Sequence, residues 1–389
     1  MSAGADDIKH ARFDRAKLAT WLRQSPPDDP VALFRPAALH RTAQTFLRGF
    51  PGAVSYAVKA NPAPQILRRL ARIGITTFDV ASVAEMQAAR EAMPTARLHY
   101  HNPIRSMDEV AQAKSFGVAS WSVDRLSELD KLGALPENTE VAVRLSLGRG
   151  GGAYDFGSKF GARPEVATAL LREVAARGFV PALTFHPGTQ CTDPSSWADH
   201  IAACAGIARD AGVRLGTLNV GGGFPAVAEG HGDALTRIFE TIRAATRTHF
   251  PVAEPRLWCE PGRAMVSDAL WLLLRVKARS DEALYLNDGL YGALGEWRDM
   301  PVPGRKTVLD RFGLDRAGPQ RQFSIFGPTC DSLDRVPGTW ELPETIAEGD
   351  HILLTGAGAY SLALVTGFNG YGTRRLIDLS NLSIEGGQR

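Results

Sequence analysis

The sequence of 389 residues exceeds the length at which one hydrophobic core keeps growing, so a large domain with a smaller companion, or two domains, is expected. Its 44% apolar and 22% charged composition is that of an ordinary globular chain and excludes extensive disorder. Forty-four basic against 42 acidic residues leave a formal charge of +2 with no block of one sign, which excludes nucleic acid or an anionic membrane as the main partner and points to a small ligand.

In chain order, Met1 to Asp14 is polar and lacks the apolar segment of a secretion signal. The longest apolar run, near Trp271–Leu274, is too short to cross a bilayer, so a cytoplasmic chain is expected. Pro26-Pro27-Asp28-Asp29-Pro30 reads as a linker. From about Ala53 to Arg263, short apolar runs alternate with amphipathic stretches, and each run is closed by Gly, Pro, Asn or Asp. The runs are Ala53–Lys59, Thr76–Ser82, Leu98–Pro103, Ala119–Asp124, Glu140–Ser146, Pro181–Gly188, Thr217–Gly223 and Leu257–Arg263. Between them, Pro64–Ile73, Val83–Ala92, Glu165–Arg177 and Trp197–Ala211 carry apolar residues at helical spacing. Strict alternation predicts an α/β fold, a (β/α)8 TIM barrel over residues 31–264.

Beyond it, Leu270–Lys277, Glu282–Asn287, Arg321–Phe326, His351–Leu354 and Arg375–Leu379 are strand-like among dense Gly and Pro. A mainly β domain is expected over 265–389, with residues 1–30 packing on it. The cysteines, Cys191, Cys204, Cys259 and Cys330, lack the spacing that holds zinc or an iron–sulfur cluster, so no metal and reduced thiols are expected.

In such barrels the reactive groups sit at the carboxyl ends of the strands. Only eight residues are Lys against 36 Arg, and Lys59 closes an apolar strand, Ser55-Tyr56-Ala57-Val58-Lys59. A desolvated lysine there can form a Schiff base with an aldehyde, whereas an ordinary loop lysine is merely solvated. His186 and Glu260 fall on the same face. Gly221-Gly222-Gly223 lets backbone N–H groups approach a phosphate, which Arg263 can also hold, although a glycine run serves equally as a simple tight turn.

These residues occur within a longer series: Tyr56-Ala57-Val58-Lys59-Ala60-Asn61, Phe78-Asp79-Val80-Ala81-Ser82, Asn102-Pro103, Ser158-Lys159-Phe160-Gly161, His186 with Gly188, and Gly221-Gly222-Gly223-Phe224-Pro225. Glu260-Pro261-Gly262-Arg263, Asn287-Asp288-Gly289-Leu290-Tyr291-Gly292, Gly327-Pro328-Thr329-Cys330-Asp331, Gly358-Ala359-Tyr360 and Phe368-Asn369-Gly370 continue it. In this order they resemble the fold-type III pyridoxal-phosphate (PLP) decarboxylases of ornithine, arginine and diaminopimelate, and most of all the ornithine branch.

The resemblance implies a barrel of the alanine-racemase type in which Lys59 bonds the PLP aldehyde and Glu260 faces the pyridine nitrogen. His186 stacks on the ring, and Thr189, Gly222, Gly223, Gly262, Arg263 and Tyr360 hold the phosphate, with Thr189 replacing the usual Ser. Asp79 and Arg144 support Lys59 and the cofactor from below. In the β domain, Cys330 protonates the substrate α-carbon and Asp331 binds its distal ammonium, both supplied by the partner subunit of a homodimer. Tyr291 and Phe368 join Asp331 in substrate binding. Lys159 and Asp334 match positions paired across the dimer interface, and Gly148-Arg149-Gly150-Gly151-Gly152 matches a closing loop.

Asp331 after the Cys favours a distal cation; diaminopimelate enzymes have Cys-Glu-Ser there. The second specificity acid departs from the usual pattern: in Gly295-Glu296-Trp297-Arg298-Asp299, Glu296 or Asp299 can fill it. L-Ornithine is therefore the expected substrate, with putrescine as product. Lysine, diaminopimelate or a carboxylated diamino acid is the alternative, and Arg298 between the acids keeps it open. Glu260 opposite the pyridine nitrogen speaks against a racemase, and the full cofactor set against a non-catalytic homologue.

Overall fold

The computed structural model describes residues 15–148, 159–226, 233–299, 305–373 and 375–382. The chain forms two compact units, one built from residues 41–225 and 232–265, the other from residues up to 40 and from 266 onward. The division differs from that expected at residue 31. Strand β1, Val31–Phe34, belongs with the second unit because it pairs antiparallel with Leu270–Leu273.

The first unit is a closed parallel barrel of eight strands: β2 (Ala53–Ala57), β3 (Thr77–Val80), β4 (Arg97–Tyr100), β5 (Ser120–Val123), β6 (Glu140–Arg144), β7 (Val180–Thr184), β8 (Thr217–Asn219) and β9 (Arg256–Cys259). It closes where Ala53 and Val54 of β2 pair with Trp258 and Cys259 of β9. Every apolar run expected to be a barrel strand contributes one. They were readable because strands covered on both faces need continuous apolar side chains, and β3 and β5 are buried at every position. The helices between them also follow local signals. Pro64–Ile73 starts with Pro in its first turn, buries Ile66, Leu67 and Leu70, and stops at Gly74 in the left-handed region (φ 115°). Met107–Ser115 opens on a reciprocal capping box between Ser106 and Glu109. Outside the strands, edge-to-face contacts of Phe46 with Phe224 and Phe239, at 5.4 Å, knit the helical layer.

The second unit is an eight-stranded sheet around β10 (Leu270–Arg279), which pairs with β1, with β11 (Ala283–Leu286) and with β15 (His351–Leu354). The sheet runs β12 (Lys306–Leu309), β15, β10, β11, β13 (Gln320–Phe326), β14 (Trp340–Pro343), and β16 (Leu376–Asp378) pairs parallel with β1. Alternation along β10 serves two cores. Leu272, Leu274 and Val276 meet Phe323, Ile325, Trp340 and Ile352, whereas Trp271 and Leu273 meet Leu33 and, from the helix over residues 15–24, Leu18 and Leu22. All four cysteines are free, three buried and Cys330 exposed. Among the described residues, no helix is long and apolar enough to cross a membrane.

Candidate active site

Lys59 stands in the single 3-10 turn Val58–Ala60 directly after β2, exposed between two buried neighbours. The turn is pinned from the chain that leaves it. The Tyr56 hydroxyl donates to the Asn61 carbonyl at 3.0 Å, and the Asn61 side chain accepts the Ala63 N–H at 3.1 Å. Asp79, buried on β3, and Glu260, just after β9, face the same interior region. One ligand atom each from Asp79, His101 and Glu260 lies within 4.8 Å of the others.

These carboxyls are driven in opposite directions. Burial, then the charge of Glu260, pushes Asp79 up to about 7 against the pull of Lys59 and His101. Burial alone would also raise Glu260. His101 beside it, a hydrogen bond from Asn219 and the charge of Lys59 instead bring it down to about 2. His101 Nδ1 and Asn219 Nδ2 both sit 2.5 Å from Glu260 Oε1. The rim thus holds one firmly ionised carboxylate and one carboxyl near neutrality.

His186, after β7, accepts the Gly188 N–H on Nδ1 at 3.1 Å, which orients its ring and leaves Nε2 carrying the hydrogen in the neutral form. Burial, reinforced by Arg144 and Lys59, lowers it to about 3, so it is an uncharged flat surface. The Gly222–Gly223 backbone runs along it. A Cβ on Gly222 would stand 3.4 Å from His186 Nε2, and one on Gly223 would enter the Gly188 carbonyl. Gly223 also has φ +81°, so no other residue suits this turn. Arg263 is buried at the start of the turn Arg263–Val266, Gly262 is buried just before it, and Thr189 is half-buried beyond Gly188. The guanidinium of Arg144, at the end of β6, lies over the Phe160 ring at 5.3 Å, and the Gly161 N–H donates to Asp124 at 3.0 Å. Ser158 and the stretch 149–152 lie outside the described residues.

In the β unit a second group gathers. The Tyr291 hydroxyl donates to Asp331, holding that carboxylate below the usual range, and the Tyr291 ring meets Phe368 at 4.9 Å. Asn369 Oδ1 accepts from the Cys330 backbone N–H at 3.2 Å and lies 3.3 Å from Cys330 Sγ. The loop carrying them is built on Asp334, a position expected to pair with Lys159 across a dimer interface. Asp334 is 1% exposed and accepts the Leu290 N–H at 2.7 Å and the Thr329 hydroxyl at 2.8 Å. Gly289 and Gly327 press against that carboxylate, where a Cβ would collide. Glu296 is half-buried and Asp299 exposed at the 3-10 turn Gly295–Arg298, and the charge of Arg298 reaches Tyr291. Tyr360 takes a left-handed φ of 58°, unusual for an aromatic residue and a mark of an over-determined loop.

The residues that sequence reasoning missed are His101, Asn219 and Ser120. Two of them were readable by the strand-end test that found Lys59, since His101 follows β4 by one residue and Asn219 ends β8.

An amine, an ionised acid and a neutral ring around a glycine turn define a site for an aromatic cofactor that bears an aldehyde and a phosphate. The family model for the pyridoxal-dependent decarboxylase, pyridoxal binding domain, matches residues 37–267. A lysine/ornithine decarboxylase of Selenomonas ruminantium is 30% identical over 94% of this chain and 92% of its own length. The ornithine decarboxylase of Schizosaccharomyces pombe is 33% identical over 83% and 77%. Among solved structures, the lysine/ornithine decarboxylase of Vibrio vulnificus complexed with putrescine aligns with a TM-score of 0.78 at 25% identity, over 95% and 98% of the two chains. The chain belongs to the pyridoxal-dependent decarboxylase family, near its ornithine decarboxylases. It is a PLP-dependent decarboxylase acting on a basic amino acid. Its own residues fit that cofactor: the exposed Lys59 amine suits an aldehyde, Glu260 is an anion, and neutral His186 offers a ring face.

Proposed function

We propose that this enzyme decarboxylates L-ornithine to putrescine and CO2, as a cytoplasmic homodimer in which the second subunit completes each site. The observation that carries the substrate is Asp331. It is an ionised carboxylate held by the Tyr291 hydroxyl beside an exposed thiol, and it suits a distal ammonium at the end of a short chain. Relatives named ornithine decarboxylase and lysine/ornithine decarboxylase support the same reading. The four free thiols support a reducing compartment.

In this proposal the Lys59 amine would hold PLP at its aldehyde. Thr189, Gly222, Gly223, Gly262, Arg263 and Tyr360 would hold the phosphate, His186 would face the ring, and Asp79 and Arg144 would steady Lys59. Bound there, PLP would supply an electron-accepting ring, and Glu260 would keep its nitrogen protonated. Asp331, Tyr291 and Phe368 orient the substrate side chain, with Glu296 or Asp299 as a second acid. Cys330 Sγ of the second subunit gives the α-carbon the proton that replaces the carboxylate. The test is CO2 release over ornithine, lysine, arginine, diaminopimelate and carboxylated diamines. Ornithine is expected to have the highest kcat/KM, and inert ornithine with bound PLP would overturn the assignment.

A second reading, a longer or carboxylated diamino acid, is favoured by Arg298, whose charge bears on Tyr291. The same panel decides it. Arg298→Ala is expected to leave ornithine turnover within about threefold and to abolish any preference for a carboxylated substrate.

A further inference from the structure

A line of polar side chains crosses the barrel interior beneath the candidate site. His101 Nε2 lies 2.9 Å from Ser120 Oγ, which lies 2.6 Å from His99 Nδ1. All three residues are at most 6% exposed. At its other end, His101 Nδ1 meets Glu260 Oε1. The Asn219 amide cannot turn away, because its Oδ1 accepts the Gly221 N–H at 2.9 Å and leaves its NH2 toward Glu260.

We infer that His101 is a positioning residue of the cofactor site: its Nδ1–H, with the Asn219 amide, fixes Glu260 Oε1 and balances its charge, leaving Oε2 for the cofactor. The inference rests on the proposed role of Glu260 opposite the pyridine nitrogen.

The hydrogen-bond directions agree. A doubly protonated His101 donates to Glu260 and to Ser120, the Ser120 hydroxyl donates to His99 Nδ1, and His99 is neutral; Asn219 Nδ2, 3.0 Å from His101 Nδ1, is then a second donor to the shared Glu260 Oε1 and not a donor to the ring. Burial, with the neighbouring His101 and Arg97, holds His99 well below its ordinary value. Burial would also lower His101, but the charge and hydrogen bond of Glu260, then Asp79 and Glu140, raise it. The titratable and charged groups facing this pair are Asp79 on β3, Lys59 after β2, and Glu140 and Arg144 on β6. A buried carboxylate without a fixed cation would bind a proton and lose its hold on a pyridinium.

The test uses PLP-loaded enzyme and the pH titration of the bound cofactor's visible absorption. Removing a cation raises the proton affinity of its neighbours, so His101→Ala is expected to move the midpoint upward by about one pH unit, a tenfold change. Its kcat is expected to fall about tenfold with KM nearly unchanged, and added imidazole is expected to reverse both effects. His101→Gln keeps the volume without the charge, gives the same upward shift, and is read alone if the alanine variant does not fold. A midpoint unmoved in these variants, while Glu260→Gln moves it, overturns the inference. A midpoint unmoved in Glu260→Gln overturns the role of Glu260 itself.

Discussion

At the scale of single residues, Asp79 and Glu260 give the cofactor-free protein two opposite pH dependences. The folded value of Glu260, about 2, lies below that of an unfolded glutamate, so its contribution is present at neutral pH and is lost as pH falls below about 4 toward 2. The folded value of Asp79, about 7, lies above the unfolded one, so its contribution is present below about pH 4 and is lost as pH rises through 7. Asp79→Asn is therefore expected to stabilise cofactor-free protein above pH 7, by on the order of 2 kcal/mol, and to do little at pH 4. Thermal melts across pH check this; equal shifts at both values would contradict it. Cys330→Ala is expected to slow amine formation about a hundredfold or more while PLP binding is kept, as assayed by product analysis and cofactor absorption. Lys59 was legible because lysine is scarce in this chain and this one ends an apolar strand. His101 passes the same strand-end test, one residue beyond β4, but was overlooked because its partner Glu260 meets it only through the fold.

At the scale of elements, the proposed phosphate role of the Gly221–Gly223 turn ties ligand binding to backbone shape. Gly223→Ala places a methyl group in the Gly188 carbonyl at a φ that alanine disfavours. It is expected to cost more than about 1 kcal/mol in melting and to weaken PLP binding at least tenfold by fluorescence titration. Unchanged binding would remove this turn from the phosphate site. The barrel strands could be read because each is a short apolar run ended by turn residues, a local signal. Strands β1, β12 and β14 could not. Trp340–Pro343 and Lys306–Leu309 mix polar and apolar residues, and Val31–Phe34 has only four residues, with partners near the other end of the chain.

At the scale of the whole molecule, Lys59 belongs to the barrel unit and Cys330 to the β unit, which makes subunit sharing testable. Mixing inactive Lys59→Ala with inactive Cys330→Ala is expected to restore about a quarter of wild-type activity if random mixed dimers each carry one intact site. No recovery in verified mixed dimers would rule out sharing. The motif order revealed the residues of both groups, but not the Asp334 anchor that shapes the Cys330 loop. A buried aspartate and a surface one look alike in a sequence.

The pairing of β1 with β10 and β16 also governs the order in which the molecule can be made on the ribosome. β1 emerges first, yet its partners are synthesised only after the whole barrel, so the nascent strand must wait with its hydrogen bonds unfilled. The barrel needs nothing from either end to close its sheet and can fold during that wait. The early strand then becomes a latch set by a segment translated after the barrel, and a chain halted before β16 would carry a formed barrel whose β unit lacks that strand.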